Sequence, residues 1–286
     1  MNLNATCILP AGSVLAEGPV WHGDRLWWVD IERGEIHVLD PATASDRAWK
    51  FHHRVGFIVP RSRGGFIVGT DRGLAAFSPD TGELATLVNP EPELPGNRFN
   101  DAKCDPSGNL WAGTMAVDET PAKGSLYRIG ADLRATRKVT EISISNGLAW
   151  SADRRTMYYI DSPTRRVDAF DFDVDTGGIS RRRTVVEITD GYPDGMSIDE
   201  RGNLWIAIWG GGCVACHEPD GGRRIARIEI PVRDVTSCCF GSGDTLFITT
   251  AGRDVVDADR HRQPLAGGLF KASVGVTGPV PPDFQG

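Results

Sequence analysis

Residues 191–211 read GYPDGMSIDERGNLWIAIWGG, and the way this stretch repeats along the chain decides the fold. It holds a short apolar strand, a polar turn containing Gly, then Leu followed by an aromatic residue. Five other stretches follow the same plan: GPVWHGDRLWWVD, GFIVPRSRGGFIVGT, NDAKCDPSGNLWAGT, NGLAWSADRRTMYYID and TSCCFGSGDTLFITT. The equivalent positions are Trp27, Ile67, Trp111, Tyr158, Trp205 and Phe247, between 40 and 47 residues apart. That is the period of a four-stranded propeller blade. Helical periodicity is almost absent, which excludes a helical repeat.

Each copy is followed by a third strand and a second turn, as in GEIHVLDPATAS or GCVACHEPDGG, and then by a more polar fourth strand such as ARIEIPV. The pattern predicts an all-β fold: one six-bladed β-propeller domain over residues 1–286 with four-stranded blades and no internal linkers. The sixth copy is short of a strand. An N-terminal strand at about residues 4–10 is expected to complete it, closing the ring between the two ends of the chain and leaving no raw edge. The Pro-rich tail, 278–286, is expected to fray.

The formal charge of −7 argues against nucleic acid or an anionic membrane surface as a partner. No apolar run approaches the roughly 20 residues of a membrane span, and the first residues lack the pattern of a signal peptide. The expectation is a soluble, cytoplasmic protein. The sequence leaves its oligomeric state open, a monomer included. The six cysteines are read as buried free thiols: Cys213 and Cys216 fall in a predicted strand, Cys238 and Cys239 are neighbours, and no second CxxC completes a zinc set.

Read alone, Pro193-Asp194-Gly195 is a turn signal. The repeat suggests more. In a propeller the first strand of each blade runs along the central channel, so residues heading those strands converge on one mouth. Those positions are Glu17, Asn100, Asn146, Asp194 and Thr236 or Ser237, while blade two offers the apolar Val55-Gly56. Turn formers alone would explain Asn-Gly and Asp-Gly, but not Glu17, because Glu is a poor turn residue. Two carboxylates and an amide carbonyl, without thiolate or imidazole, make a hard oxygen site suited to calcium, magnesium or manganese, with Fe(II) or zinc also able to enter. Left unpaired, the two negative charges would cost several kcal/mol, on the order expected for buried ions.

LAEGPVW, NRFNDAKCDPSGNLWAGTM, ISNGLAWS, YPDGMSID and TSCCFG together resemble the SMP-30/gluconolactonase/regucalcin family over essentially the whole chain. The resemblance implies a six-bladed propeller that hydrolyses a sugar lactone with one central divalent cation. It implies Glu17, Asn146 and Asp194 as metal ligands, the three already nominated by the repeat. It also implies Arg98 and Asn100 as substrate-binding residues, and Asp118 as the acidic residue beyond the GTM motif. Asp194 is the candidate base for the attacking water. The substrate expected is a pentonolactone or gluconolactone, with organophosphate ester hydrolysis as a side activity. The alternative is a calcium-binding or protein-binding propeller with no turnover.

Other chemistries find little support: no GxSxG elbow is present, the Gly-rich stretches open strands rather than helices, and the histidines show no metal spacing. His22 reads as a solvated turn residue, His52 and His53 as rim residues. Trp27, Trp111 and Trp205 read as packing; Trp209 is a candidate for the mouth.

Overall fold

A computed structural model describes residues 2–256 and 261–286. Six antiparallel sheets, each built from four strands consecutive around the ring, form the blades of a propeller. The innermost strands are Ala16–His22, Val55–Pro60, Asn97–Cys104, Ser145–Trp150, Tyr192–Ile198 and Val235–Phe240, each touching the next and the last touching the first. Among the described residues no helix is long and apolar enough to cross a membrane.

The repeat position lies on the second strand of every blade. Trp27, Ile67, Trp111, Tyr158, Trp205 and Phe247 are all buried. In blades three and five the turn before it shows why this sequence folds as it does. Asp105 accepts hydrogen bonds from the backbone N–H of Ser107 and Asn109, the Asn109 amide and the Trp111 indole. Asp199 does the same for Arg201, Asn203 and Trp205. Gly108 and Gly202, at φ 75° and 85°, supply the left-handed step each turn requires.

Apolar packing is divided rather than central. Six clusters of buried side chains lie one between each pair of neighbouring blades; Trp111, Trp150 and Phe172, for example, meet edge to face where blade three packs on blade four. The sheets pack on each other rather than on a common centre, so the axis is left to polar groups. The cysteines are free, five of them buried and Cys7 half-buried.

The N-terminal segment closes the ring and also does more. Thr6–Leu9 pairs antiparallel with Leu269–Ser273 as the outer strand of blade six. Asn2–Asn4 adds a fifth strand, parallel, to the outer edge of blade five. The tail does not fray. Phe284 is fully buried between blades two and three, its N–H donates to the Pro60 carbonyl, and its carbonyl accepts from Ser62. A Pro-rich segment stays in place here because its last aromatic side chain is anchored.

Candidate active site

Every innermost strand breaks register against its neighbour near the same height: at Glu17/Val20, Val55/Phe57, Phe99/Ala102, Asn146/Leu148, Pro193/Met196 and Val235/Ser237. These are β-bulges, which re-aim side chains out of the ladder. Pro193-Asp194-Gly195 is therefore not a turn: it lies inside the strand Tyr192–Ile198, and the bulge aims Asp194. The glycines after Asn146 and Asp194 have their own reason. A Cβ on Gly195 would stand 2.0 Å from Ser237 Oγ, and one on Gly147 would stand 2.8 Å from the Asp194 carbonyl. Only glycine lets adjacent inner strands come this close around the axis.

The bulges open onto a cavity of about 220 Å³ on the axis. Glu17, Arg98, Asn100, Asn146 and Asp194 all line it, contributed by blades one, three, four and five. Leu15, Met115, Ile144, Tyr192 and Trp209 form an apolar wall, so Trp209 does belong to the mouth. Thr236 is buried and donates instead to the Ala16 carbonyl at 2.6 Å, holding blade six to blade one. A second cavity, about 100 Å³, lies at the other end of the inner strands, lined in part by Pro279–Asp283.

A chain of hydrogen bonds fixes the polar groups. Arg98 Nη1 donates to Asn100 Oδ1 (2.6 Å) and to the Phe99 carbonyl (3.0 Å). Asn100 Nδ2 donates to the Ser145 carbonyl (2.7 Å) and to Asn146 Oδ1 (3.0 Å). Asn146 Nδ2 donates to Ser162 Oγ (2.9 Å), and Ser162 Oγ donates to the Pro193 carbonyl (2.6 Å). Both ends of the chain have one possible polarity, since a guanidinium only donates and a carbonyl only accepts. The orientation of both amides follows from that.

Glu17 and Asp194 stand within hydrogen-bonding reach of each other. Burial, then the charge of Asp101, pushes Glu17 up to about 8. Burial, then the charge of Glu17, raises Asp194 well above the usual carboxylate range. Burial also brings Arg98 down to about 10, still charged at neutral pH. Two carboxylates forced together beside an amide oxygen fit a hard divalent cation, which would relieve their repulsion. Glu17, Asn146 and Asp194 are the residues that could hold one.

Asp118 does not reach the cavity. It is exposed, and its carboxylate accepts from the Thr120 backbone, which holds its pKa down. Glu119 lines the cavity instead, with φ 59°, and pairs across the mouth with Arg253 at 2.7 Å. Arg253 also lies over the Trp209 ring at 5.1 Å. His22 ends an inner strand at the far end, exposed, with its ring edge on Phe66. Sequence reasoning missed Glu119, Ser162 and Arg253, which lie in loops outside the repeated strand positions.

Residues 15–252 match the family described as the SMP-30/Gluconolactonase/LRE-like region. Over 280 residues, 96% of each chain, the sequence is 38% identical to the Bacillus subtilis (strain 168) protein named "Putative sugar lactone lactonase YvrE". It is 36% identical over 298 residues to regucalcin of Xenopus laevis, covering 100% of this chain and 99% of that one. Among solved structures, the calcium-binding protein regucalcin from Agrobacterium tumefaciens matches with a TM-score of 0.94 at 28% identity, over 100% of this chain and 98% of that one.

Proposed function

The chain belongs to the SMP-30/gluconolactonase/LRE-like family, which supports a lactonase-type activity, and from that premise we propose that it is a divalent-metal-dependent hydrolase opening a sugar lactone, a pentonolactone or gluconolactone, to its aldonic acid. One observation carries the reading: Glu17, Asn146 and Asp194 converge on the same cavity as Arg98 and Asn100. The first three would hold the ion.

When bound, the cation supplies Lewis-acid polarisation of the lactone carbonyl and stabilises the oxyanion formed on attack. Asp194 takes the proton of the attacking water. Burial, then the neighbouring Glu17 carboxylate, raises Asp194 above the usual carboxylate range, and the part that comes from burial supports its role as proton acceptor. As the ring C–O bond breaks, that proton passes to the leaving ring oxygen, giving the acid and a free hydroxyl. Arg98, locked through Nη1 to Asn100 and the Phe99 carbonyl, turns its remaining guanidinium N–H groups to substrate oxygens. Asn100, with both Nδ2 hydrogens spent, holds Arg98 in place and offers Oδ1 to a substrate hydroxyl.

A second reading, cation binding without turnover, is favoured by the regucalcin relatives, one of which is titled a calcium-binding protein. Against it, holding an ion does not require the buried Arg98 beside the three ligands. The deciding experiment is acid release from D-xylono- and D-gluconolactone by metal-stripped protein, with and without added Ca²⁺, Mn²⁺, Mg²⁺, Zn²⁺ or Fe²⁺. Metal-dependent turnover is expected, with Arg98→Ala raising KM or cutting kcat while leaving metal affinity intact. No rate above spontaneous hydrolysis with any of these pairs would leave the binding reading standing.

A further inference from the structure

In the cavity wall, the Ser162 hydroxyl joins the side chain of Asn146, one candidate ligand, to the backbone just before Asp194, another. Ser162 opens the short 3-10 turn Ser162–Thr164 that follows the second strand of blade four. Its hydroxyl accepts from Asn146 Nδ2 on blade four and donates to the carbonyl of Pro193 on blade five, the residue directly before Asp194.

The turn that carries it is rigid. Its N–H donates to the Ile144 carbonyl, the preceding Asp161 carboxylate accepts from the N–H groups of Ser143 and Ile144, and Thr164 Oγ1 closes onto the Asp161 carbonyl. Ser162 is 5% exposed, so no solvent competes for the hydroxyl. A serine has one hydrogen. With that hydrogen spent on a carbonyl, which cannot donate, Ser162 presents only lone pairs to Asn146. The Asn146 amide is therefore held with nitrogen toward Ser162 and oxygen toward Asn100 and the cavity. Reversing it would set Asn146 Oδ1 against the Ser162 lone pairs, an acceptor facing an acceptor, and Asn146 Nδ2 against Asn100 Nδ2, a donor facing a donor.

We propose that Ser162 is a positioning residue for the cation site: it fixes the Asn146 amide so that oxygen, not N–H, faces the ion, and it ties that amide to the backbone carrying Asp194. This rests on the metal reading above. Removing an outer hydrogen-bond partner of a ligand typically weakens metal affinity about 10–100-fold. Asn100 still opposes reversal of the amide, so the lower part of that range applies.

The test is calorimetric titration of Ca²⁺ and Mn²⁺ into metal-stripped full-length protein, with folding checked by circular dichroism. Ser162→Ala is expected to weaken Kd at least about tenfold, and Ser162→Thr, which keeps the hydroxyl, to stay within about threefold of wild type. At saturating metal the lactone KM of Ser162→Ala should move less than about threefold, because the residues placed on substrate are untouched. If the alanine variant does not fold, Ser162→Cys keeps the volume with a weak acceptor and should show the same loss of affinity. Wild-type Kd in the folded alanine or cysteine variant overturns the role of Ser162, as does a threonine variant that is folded yet equally impaired. A wild-type protein that takes up neither ion fails the metal reading itself, and the proposal with it.

Discussion

Burial, then the charge of Asp101, pushes the Glu17 carboxyl up to about 8. A cation that takes this site must displace the carboxyl proton, so its affinity is linked to pH. The sign follows from Glu17 being protonated below its folded value: apparent affinity falls as pH drops below about 8, by about tenfold per unit for each proton released. Titrations between pH 6 and 9 should show this, with an observed heat that changes with the buffer's ionisation heat in proportion to the protons released; a Kd independent of pH would mean that Glu17 is not a ligand. That Glu17, Asn146 and Asp194 meet in one cavity was legible in the sequence, because the repeat fixes their phase and Glu-Gly is not a turn former. Asp118 stops one residue short of the cavity, which the sequence could not show because a loop has no phase: the chain turns at Glu119 through a positive φ, and that turn decides which of two adjacent acids lines the cavity. Ser162 and Arg253 follow second strands, where nothing in the repeat singles them out.

At the scale of the strand, the same dipeptides carry two meanings. Asp-Gly and Asn-Gly read as turns, whereas here they sit in bulges within strands, and the glycine is needed for the next blade's backbone rather than for chain reversal. Sequence distinguishes these poorly, because both favour small flexible residues. The N-terminal segment shows the opposite case. An outer strand for blade six was legible from the strand missing there, but the parallel pairing of Asn2–Asn4 was not, since the three residues Asn-Leu-Asn are too few to carry a pattern. Together the two short strands staple blade five to blade six, with Leu3 and Cys7 packed on the cluster between those blades, and Ile8 and Leu9 on the one between blades six and one. Deleting residues 2–9 uncovers both clusters and leaves Leu269–Ser273 as an open edge. Calorimetry and light scattering should show Tm lowered by on the order of 10 °C and association through that edge. A truncated protein that melts and sediments like the full chain would mean that the ring is closed by inter-blade packing alone.

At the scale of the whole molecule, apolar cohesion is distributed among six inter-blade clusters, and the axis is where unfavourable groups are gathered. The candidate ligands come from blades one, four and five, so the site exists only in the closed ring. Such a site works against the stability of the fold that holds it: two buried carboxylates raise the energy of the metal-free protein. Asp194→Asn removes one of those charges at nearly constant volume. Metal-stripped Asp194→Asn should therefore melt above metal-stripped wild type, and the gap should widen as pH rises from the ordinary carboxylate range to about 8, because over that window the native wild-type pair holds protons that the unfolded chain has lost. Adding cation should reverse the order. At a hundredfold excess over Kd, wild type gains about 2.7 kcal/mol from binding, whereas the variant, short of one charged ligand, gains little. The crossing of the two melting curves separates a ligand from a structural residue: a metal-stripped Asp194→Asn protein that melts below wild type would place Asp194 among the groups that hold the ring together.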